Sequence, residues 1–181
     1  MRYLIVTFVS AFVAAAVAAT LLASPSAEAA DGGKVKRCGG GGIFLKAKER
    51  RTFQLHNQKR KDRGLKPFCV HPKLSKAARA HSEDMIKRDY FSHNTKGRNE
   101  GPCERVKRYG YRFRLCAENI AWGQGNAGDP GNIMRIWMRS DGHRKNILKG
   151  KLRQVGVGTY SGTFNGRKNV TMYTVDFGTP L

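Results

Sequence analysis

Met172-Tyr173-Thr174-Val175-Asp176-Phe177 alternates between two residue sets, with Met172, Thr174 and Asp176 set against Tyr173, Val175 and Phe177. Successive side chains of a strand point to opposite faces, so a period of two predicts β-structure. Upstream, Val155, Val157 and Thr159 alternate with small residues in the same way, and Gly162, Asn165, Gly166 and Asn169 lie between the two runs. The pair predicts an antiparallel hairpin with a long connection. The chain before it reads as helix. Leu74, Ala77, Ala78, His81 and Met85 share one face of a helix that carries Pro72 in its first turn and runs to about Asp89. Lys48 to Arg63 is helix-forming in composition and ends at Gly64, and a shorter helix over Glu104–Tyr109 stops at Gly110. Asp129 as N-cap with Pro130 behind it opens another, which ends before Gly142 and places Ile133, Ile136 and Trp137 on one face. Helices first and a sheet last predict an α+β domain, with helices packed on a small antiparallel sheet.

Farther out, the N-terminus has the order of a secretory signal. Arg2 precedes an apolar run from Tyr3 to Ala23, Pro25 breaks it, and Ala27-Glu28-Ala29 supplies small residues at the two cleavage positions. Residues 1–29 are therefore expected to be a signal peptide, cut after Ala29 or Ala30. An uncleaved anchor is the alternative, since about 20 apolar residues also span a bilayer. Residues 30–47 read as a glycine-rich basic arm, because the run Gly39–Gly42 carries a high backbone entropy cost and order is expected to begin near Lys46. Residues 48–181 form the folded domain. No later segment is apolar enough to span a membrane, so the expected mature form is a secreted monomer without a transmembrane segment. About 150 residues suit one domain with a substantial core.

Cys38, Cys69, Cys103 and Cys116 are an even set in an exported chain, which reads as two disulfides. Of the three connectivities open to them, closeness in sequence favours Cys103–Cys116 and leaves Cys38–Cys69 to fasten the arm. No Cys-x-x-Cys spacing suggests a cysteine zinc site. The net charge is +21, and residues 1–29 contain one base and one acid, so the mature domain keeps all of it. That charge favours anionic surfaces such as lipid head groups or envelope polymers. Nonspecific nucleic-acid binding ranks last, because no aromatic-rich groove pattern accompanies the bases.

Three segments mix titratable, aromatic and glycine residues: Tyr90–His93, Ala117–Gly123 and Trp137–Leu148. Together with Leu55-His56-Asn57-Gln58-Lys59-Arg60, Gly64-Leu65-Lys66-Pro67-Phe68, Arg105-Val106, Gly110-Tyr111, Val155-Gly156-Val157-Gly158 and Tyr173-Thr174-Val175-Asp176-Phe177-Gly178, they give an ordered set of blocks. The set, over about residues 48–180, resembles the CAP superfamily of cysteine-rich secretory, antigen 5 and pathogenesis-related proteins, in its bacterial SCP-like extracellular branch. The resemblance implies an α-β-α sandwich and a cleft with two histidines and two acidic residues. By match, His93, Glu118 and His143 supply three of these. At the fourth position stands Ser140, with Asp141 beside it.

Two neutral imidazoles, His93 and His143, facing one cleft could hold zinc or another divalent metal, with Glu118 completing the site or orienting bound water. The same trio could do acid–base chemistry. Structural roles stand beside these: Glu118 capping backbone N–H groups in a loop before the sheet, His93 ending a helix, His143 fixing a turn. The resemblance implies a non-catalytic extracellular binding module for lipid or cell-envelope ligands, and a metal-assisted hydrolase is the alternative. His81 is expected to be a core histidine, Asn57 and Arg60 polar anchors of the fold, and Trp122 and Trp137 core residues. Asn169-Val170-Thr171 fits a glycosylation acceptor but lies on an expected strand.

Overall fold

In a computed structural model that describes residues 32–181, helices cover both faces of a four-stranded sheet. The chain runs through β1 (Gly33–Lys36), β2 (Gly42–Leu45), α1 (Ala47–Lys61), β3 (Cys69–Val70), α2 (Pro72–Lys87), α3 (Pro102–Arg108), β4 (Phe113–Gln124), α4 (Pro130–Arg139), α5 (Asp141–Leu148), β5 (Gln154–Phe164) and β6 (Arg167–Pro180). The expected signal peptide over residues 1–29 lies outside the described residues. No helix among the described residues is long and apolar enough to cross a membrane.

The sheet order is β3-β5-β6-β4. β4, β5 and β6 pair antiparallel, whereas the short β3 joins β5 in parallel, so the sheet is mixed at that edge. Tyr173, Val175 and Phe177 pack with Phe53, Ile133, Trp137 and Ile147 from α1, α4 and α5. Met172 turns the other way, to Met85 and Ile86 of α2. The alternation in the sequence is therefore an alternation between two helical layers, which gives the α-β-α sandwich.

Gly156 and Gly158 explain how α2 lies so near the sheet. A Cβ at Gly156 would stand 2.1 Å from the Leu74 carbonyl carbon, and one at Gly158 would stand 2.1 Å from the Arg79 nitrogen. Only glycine allows that approach of helix to strand. Ser82 then reaches across to Thr174 Oγ1 at 2.9 Å.

Several expectations are corrected. The β5–β6 connection is tight rather than long: pairing continues to Phe164↔Arg167, and Asn165 (φ 48°) and Gly166 (φ 71°) alone make the turn. Asn-Gly accepts positive φ at both positions, which the twist of a two-residue hairpin requires. The arm is not an unstructured linker either. β1 and β2 form a hairpin whose turn uses Gly39, Gly40 and Gly41 at positive φ, so the glycine run makes the turn instead of preventing structure. The Cys38–Cys69 disulfide and a Cys38 N–H bond to the Val70 carbonyl (2.9 Å) join this hairpin to β3, and Leu45 is fully buried. Cys103–Cys116 forms the second disulfide, joining α3 to β4. Ile136 is half exposed, since Met134 takes the place on the buried face of α4 that was expected of it. Residues 141–148, not expected as an element, form α5.

Buried polar groups hold the layers together. Arg60 is fully buried and donates to the carbonyls of Lys66, Ile147, Lys149 and Leu152, while its guanidinium lies 3.8 Å from the Phe68 ring centre. Asn57 exchanges both side-chain hydrogen bonds with the Phe68 backbone. These two are the fold anchors expected of them. Trp137 is fully buried; Trp122 is half-buried, its ring centre 5.2 Å from that of Phe164.

Candidate functional site: an imidazole cleft beside the edge strand

Glu118 sits within β4, opposite Asp176 of β6, and not in a loop before the sheet as expected. Strand register, not loop geometry, fixes its position. β4 is an edge strand, and two of its carbonyls, those of Glu118 and Ile120, are taken by side chains from α5 and α4. Trp137 Nε1 donates to the Ile120 carbonyl at 3.1 Å, and Asn146 Nδ2 donates to the Glu118 carbonyl at 3.2 Å. Asn146 Nδ2 also reaches Asn119 Oδ1 at 2.9 Å, and Asn119 Nδ2 donates to the His143 carbonyl at 3.1 Å. Trp137, Asn146 and Asn119 thus clamp the helical corner onto the sheet, which places His143, the third residue of α5, beside β4.

His93 arrives from the loop after α2. Its Nδ1 lies 2.7 Å from Glu118 Oε1, so the ring donates there and Nε2 is left as the open nitrogen. Arg105 of α3 donates to Glu118 Oε2, to the His93 carbonyl (3.1 Å) and to Thr95 Oγ1 (3.2 Å). The Glu118 and Arg105 side chains are each 1% exposed, while that of His93 is 50% exposed. The buried ion pair is therefore the base on which an exposed imidazole stands.

Two adjoining cavities of about 420 and 470 Å³ meet at His93 and His143. The first is also lined by Glu118, Ser140, Lys145 and Lys149; the second by Phe91 and Ile120. The sequence-expected trio comes together in one cleft. Ser140 lines it, whereas the Asp141 side chain is 91% exposed and pairs with Arg144, so Asp141 does not replace a second acid. Burial, and next the nearby His93, lowers the pKa of His143, which favours neutral imidazole. Asp176, fully buried behind Glu118, has its pKa raised well above the usual carboxylate range, first by burial and then by the Glu118 charge. Both causes favour its neutral acid form.

His81, expected in the core, is buried: its Nε2 donates to the Ser92 carbonyl at 2.9 Å and burial lowers its pKa to about 4. Sequence reasoning missed Lys145, Lys149 and Ile120 as parts of the cleft, and Arg105 as the buried partner behind Glu118. Lys145 and Lys149 stand four residues apart, a helical signal that would have required α5 to be recognised first. Among the described residues, no group of three or more His, Cys, Asp or Glu side chains is placed to hold a metal. Glu118 has both oxygens engaged by Arg105 and His93, so the donor set open to a cation is the two imidazoles.

Residues 53–177 match the sequence profile of CAP, the cysteine-rich secretory protein family. YkwD of Bacillus subtilis (strain 168) is 39% identical over 114 residues, which cover 63% of this chain and 43% of that protein. The membrane protein YlbC of the same strain is 32% identical over 110 residues, 61% of this chain and 31% of that protein. The chain thus spans less than half the length of these curated relatives. An SCP-domain extracellular protein of Bacillus anthracis str. Ames superposes with a TM-score of 0.62 at 30% identity, covering 72% of this chain and 40% of that one. An outer surface protein of Borrelia burgdorferi gives 0.65 at 18% identity over 83% of this chain and 99% of that one, a likeness of fold alone. The matched profile runs from α1 through the cleft residues to the last sheet strand, and the chain belongs to the CAP (cysteine-rich secretory protein) family.

Proposed function

We propose that this protein is exported and acts outside the cytoplasm as a non-catalytic binding module, whose cleft takes an amphipathic, anionic ligand of lipid or cell-envelope origin. The observation that carries this reading is the division of the cleft. Phe91 and Ile120 line one cavity, Lys145 and Lys149 the other, and His93 and His143 belong to both. An apolar wall beside a cationic one suits a ligand with a hydrocarbon part and an acidic head. The net charge of +21 adds attraction to anionic surfaces. Export is supported by the apolar N-terminal run with its Ala27-Glu28-Ala29 site and by two disulfides, which persist in oxidising compartments. Similarity to an extracellular protein of Bacillus anthracis str. Ames agrees with it.

A divalent cation such as zinc would be held by His93 and His143, with Glu118 orienting His93 through Nδ1 and not coordinating. Bound there, the ion would act as a Lewis acid toward an anionic head group. Two protein ligands are fewer than the three or four that resident zinc usually has, so this site fits an exchangeable ion. The second reading, a metal-assisted hydrolase, is favoured by the carboxylate-oriented imidazole of His93. Against it, Glu118 is bound on both oxygens and the fourth family position is Ser140.

The test is ligand mass spectrometry and metal analysis of protein purified from its own host, alongside retention on anionic and neutral vesicles across a salt series. Anionic vesicles are expected to retain the protein and to release it as salt rises, and Lys145→Gln with Lys149→Gln is expected to weaken retention. Equal retention on both vesicle types would refute the reading. Stoichiometric zinc lost in His93→Ala and in His143→Ala, together with hydrolytic turnover, would favour the second.

A further inference from the structure

Away from the imidazole cleft, α2, α3 and the loop between them enclose a separate cavity of about 180 Å³. Arg88, Arg98, Arg105 and Arg108 all line it, against a single lining carboxylate, Asp84. Three carboxylates, Asp84, Glu100 and Glu118, pair with three of these guanidinium groups, so one of the four positive charges has no carboxylate partner among the described residues.

Three of the four are fixed in place from behind. Arg88 donates to the Lys96 carbonyl at 2.8 Å and to Asp84 Oδ1 at 3.5 Å. Arg108 is held by Glu100 through Nε (2.5 Å) and Nη2 (3.0 Å), which leaves Nη1 without a carboxylate. Arg105 is held by Glu118, Thr95 and the His93 carbonyl. Asp84 is itself occupied, since Tyr90 donates to its Oδ2 at 2.5 Å. Arg98 is exposed and pairs with no carboxylate among the described residues. Its turn, closed by an Arg98 N–H bond to the Thr95 carbonyl (3.1 Å), carries it to the rim of the cavity.

Guanidinium forks match the paired oxygens of tetrahedral oxyanions, and forks already held by other contacts lose little freedom when the anion arrives. At about 30 Å³ for each water of the liquid, the space of about 180 Å³ holds roughly six waters, which is room for a phosphate group together with part of its hydration or of the molecule that carries it. We propose that this cavity binds a phosphate group, free or at the end of a larger molecule, with Arg98 closing over it. Arg88 and Arg108 form the walls, and Asp84 keeps the arginines apart while the cavity is empty. The inference rests on the arginine cavity and is independent of what the imidazole cleft binds.

Calorimetric titration of the full mature chain tests it, with inorganic phosphate in one arm and glycerol phosphate in the other, at fixed ionic strength. Saturable binding of one anion per chain is expected. Arg98→Gln, an exposed position whose loss leaves the fold intact, is expected to weaken it by about tenfold to a hundredfold, as befits a charge-assisted contact. Arg51→Gln removes the same charge from the exposed face of α1 and is expected to leave affinity unchanged. Tighter binding of glycerol phosphate would assign the site to a phosphate monoester end, and equal binding to the free anion. Either supports the proposal. Absence of saturable binding in both arms, or equal weakening by Arg98→Gln and Arg51→Gln, would overturn it.

Discussion

Glu118 is bound on both carboxylate oxygens, and its neighbours say what its loss would do. The carboxylate neutralises a buried Arg105, orients His93 and raises the pKa of Asp176. Glu118→Gln strands Arg105 in a dry environment, where an unpaired charge costs about 3–5 kcal/mol. Asp176 would offset part of this, because the Arg105 charge favours its ionisation once Glu118 is neutral. A loss near 3 kcal/mol in urea denaturation is expected for Glu118→Gln, against little change for Ser140→Ala. At this scale the trio was legible because family blocks placed His93, Glu118 and His143 together. Arg105 belongs to the same blocks, but nothing in its sequence position shows that it points at a carboxylate thirteen residues on.

At the scale of elements, what the sequence concealed was what depends on pairing. The period-two run at Met172–Phe177 and the helical face at Leu74–Met85 showed because burial on a fixed period leaves its mark on composition. β4 did not show: Ala117-Glu118-Asn119-Ile120-Ala121 lacks that alternation, as one residue serves the ion pair and the next the helix clamp. α5 was hidden by Gly142 and by its short length. The close approach of α2 to β5 leads to a sharp expectation. Gly158→Ala puts a methyl group 2.1 Å from the Arg79 nitrogen, so helix and strand must separate. A destabilisation of about 1–3 kcal/mol or more is expected, read from the urea midpoint. Gly142→Ala, whose Cβ meets nothing within 4 Å, is the control and should lose no stability.

Over the whole molecule, buried histidines set a response to acid. His56 lies in the core against Trp137 and Phe177, and burial brings its pKa down to about 4, as it does for His81. Below the ordinary value near 6.5 the unfolded chain takes up protons that the folded chain refuses, so stability present at neutral pH is lost as pH falls toward 4. Each histidine contributes up to about 3 kcal/mol over that interval. The urea midpoint is expected to drop steadily between pH 7 and pH 4.5, with a shallower slope in His56→Gln. The disulfides act on the same scale. Replacing Cys38 and Cys69 by serine is expected to cost about 2–4 kcal/mol and to speed amide exchange in the β1–β2 hairpin before the sheet is affected.

The clamp on β4 has a further consequence for how these molecules behave in a crowd. An uncovered outer strand presents a row of carbonyl and N–H groups that a second chain can copy, which is how fibrils begin. Here indole and carboxamide groups occupy that row at Ile120 and Glu118, beside the imidazole cleft. Asn146→Ala is therefore expected to raise light scattering on prolonged incubation as well as to loosen His143, and unchanged scattering would show that the edge is guarded elsewhere. One asparagine thus ties the protection of the sheet edge to the placement of His143.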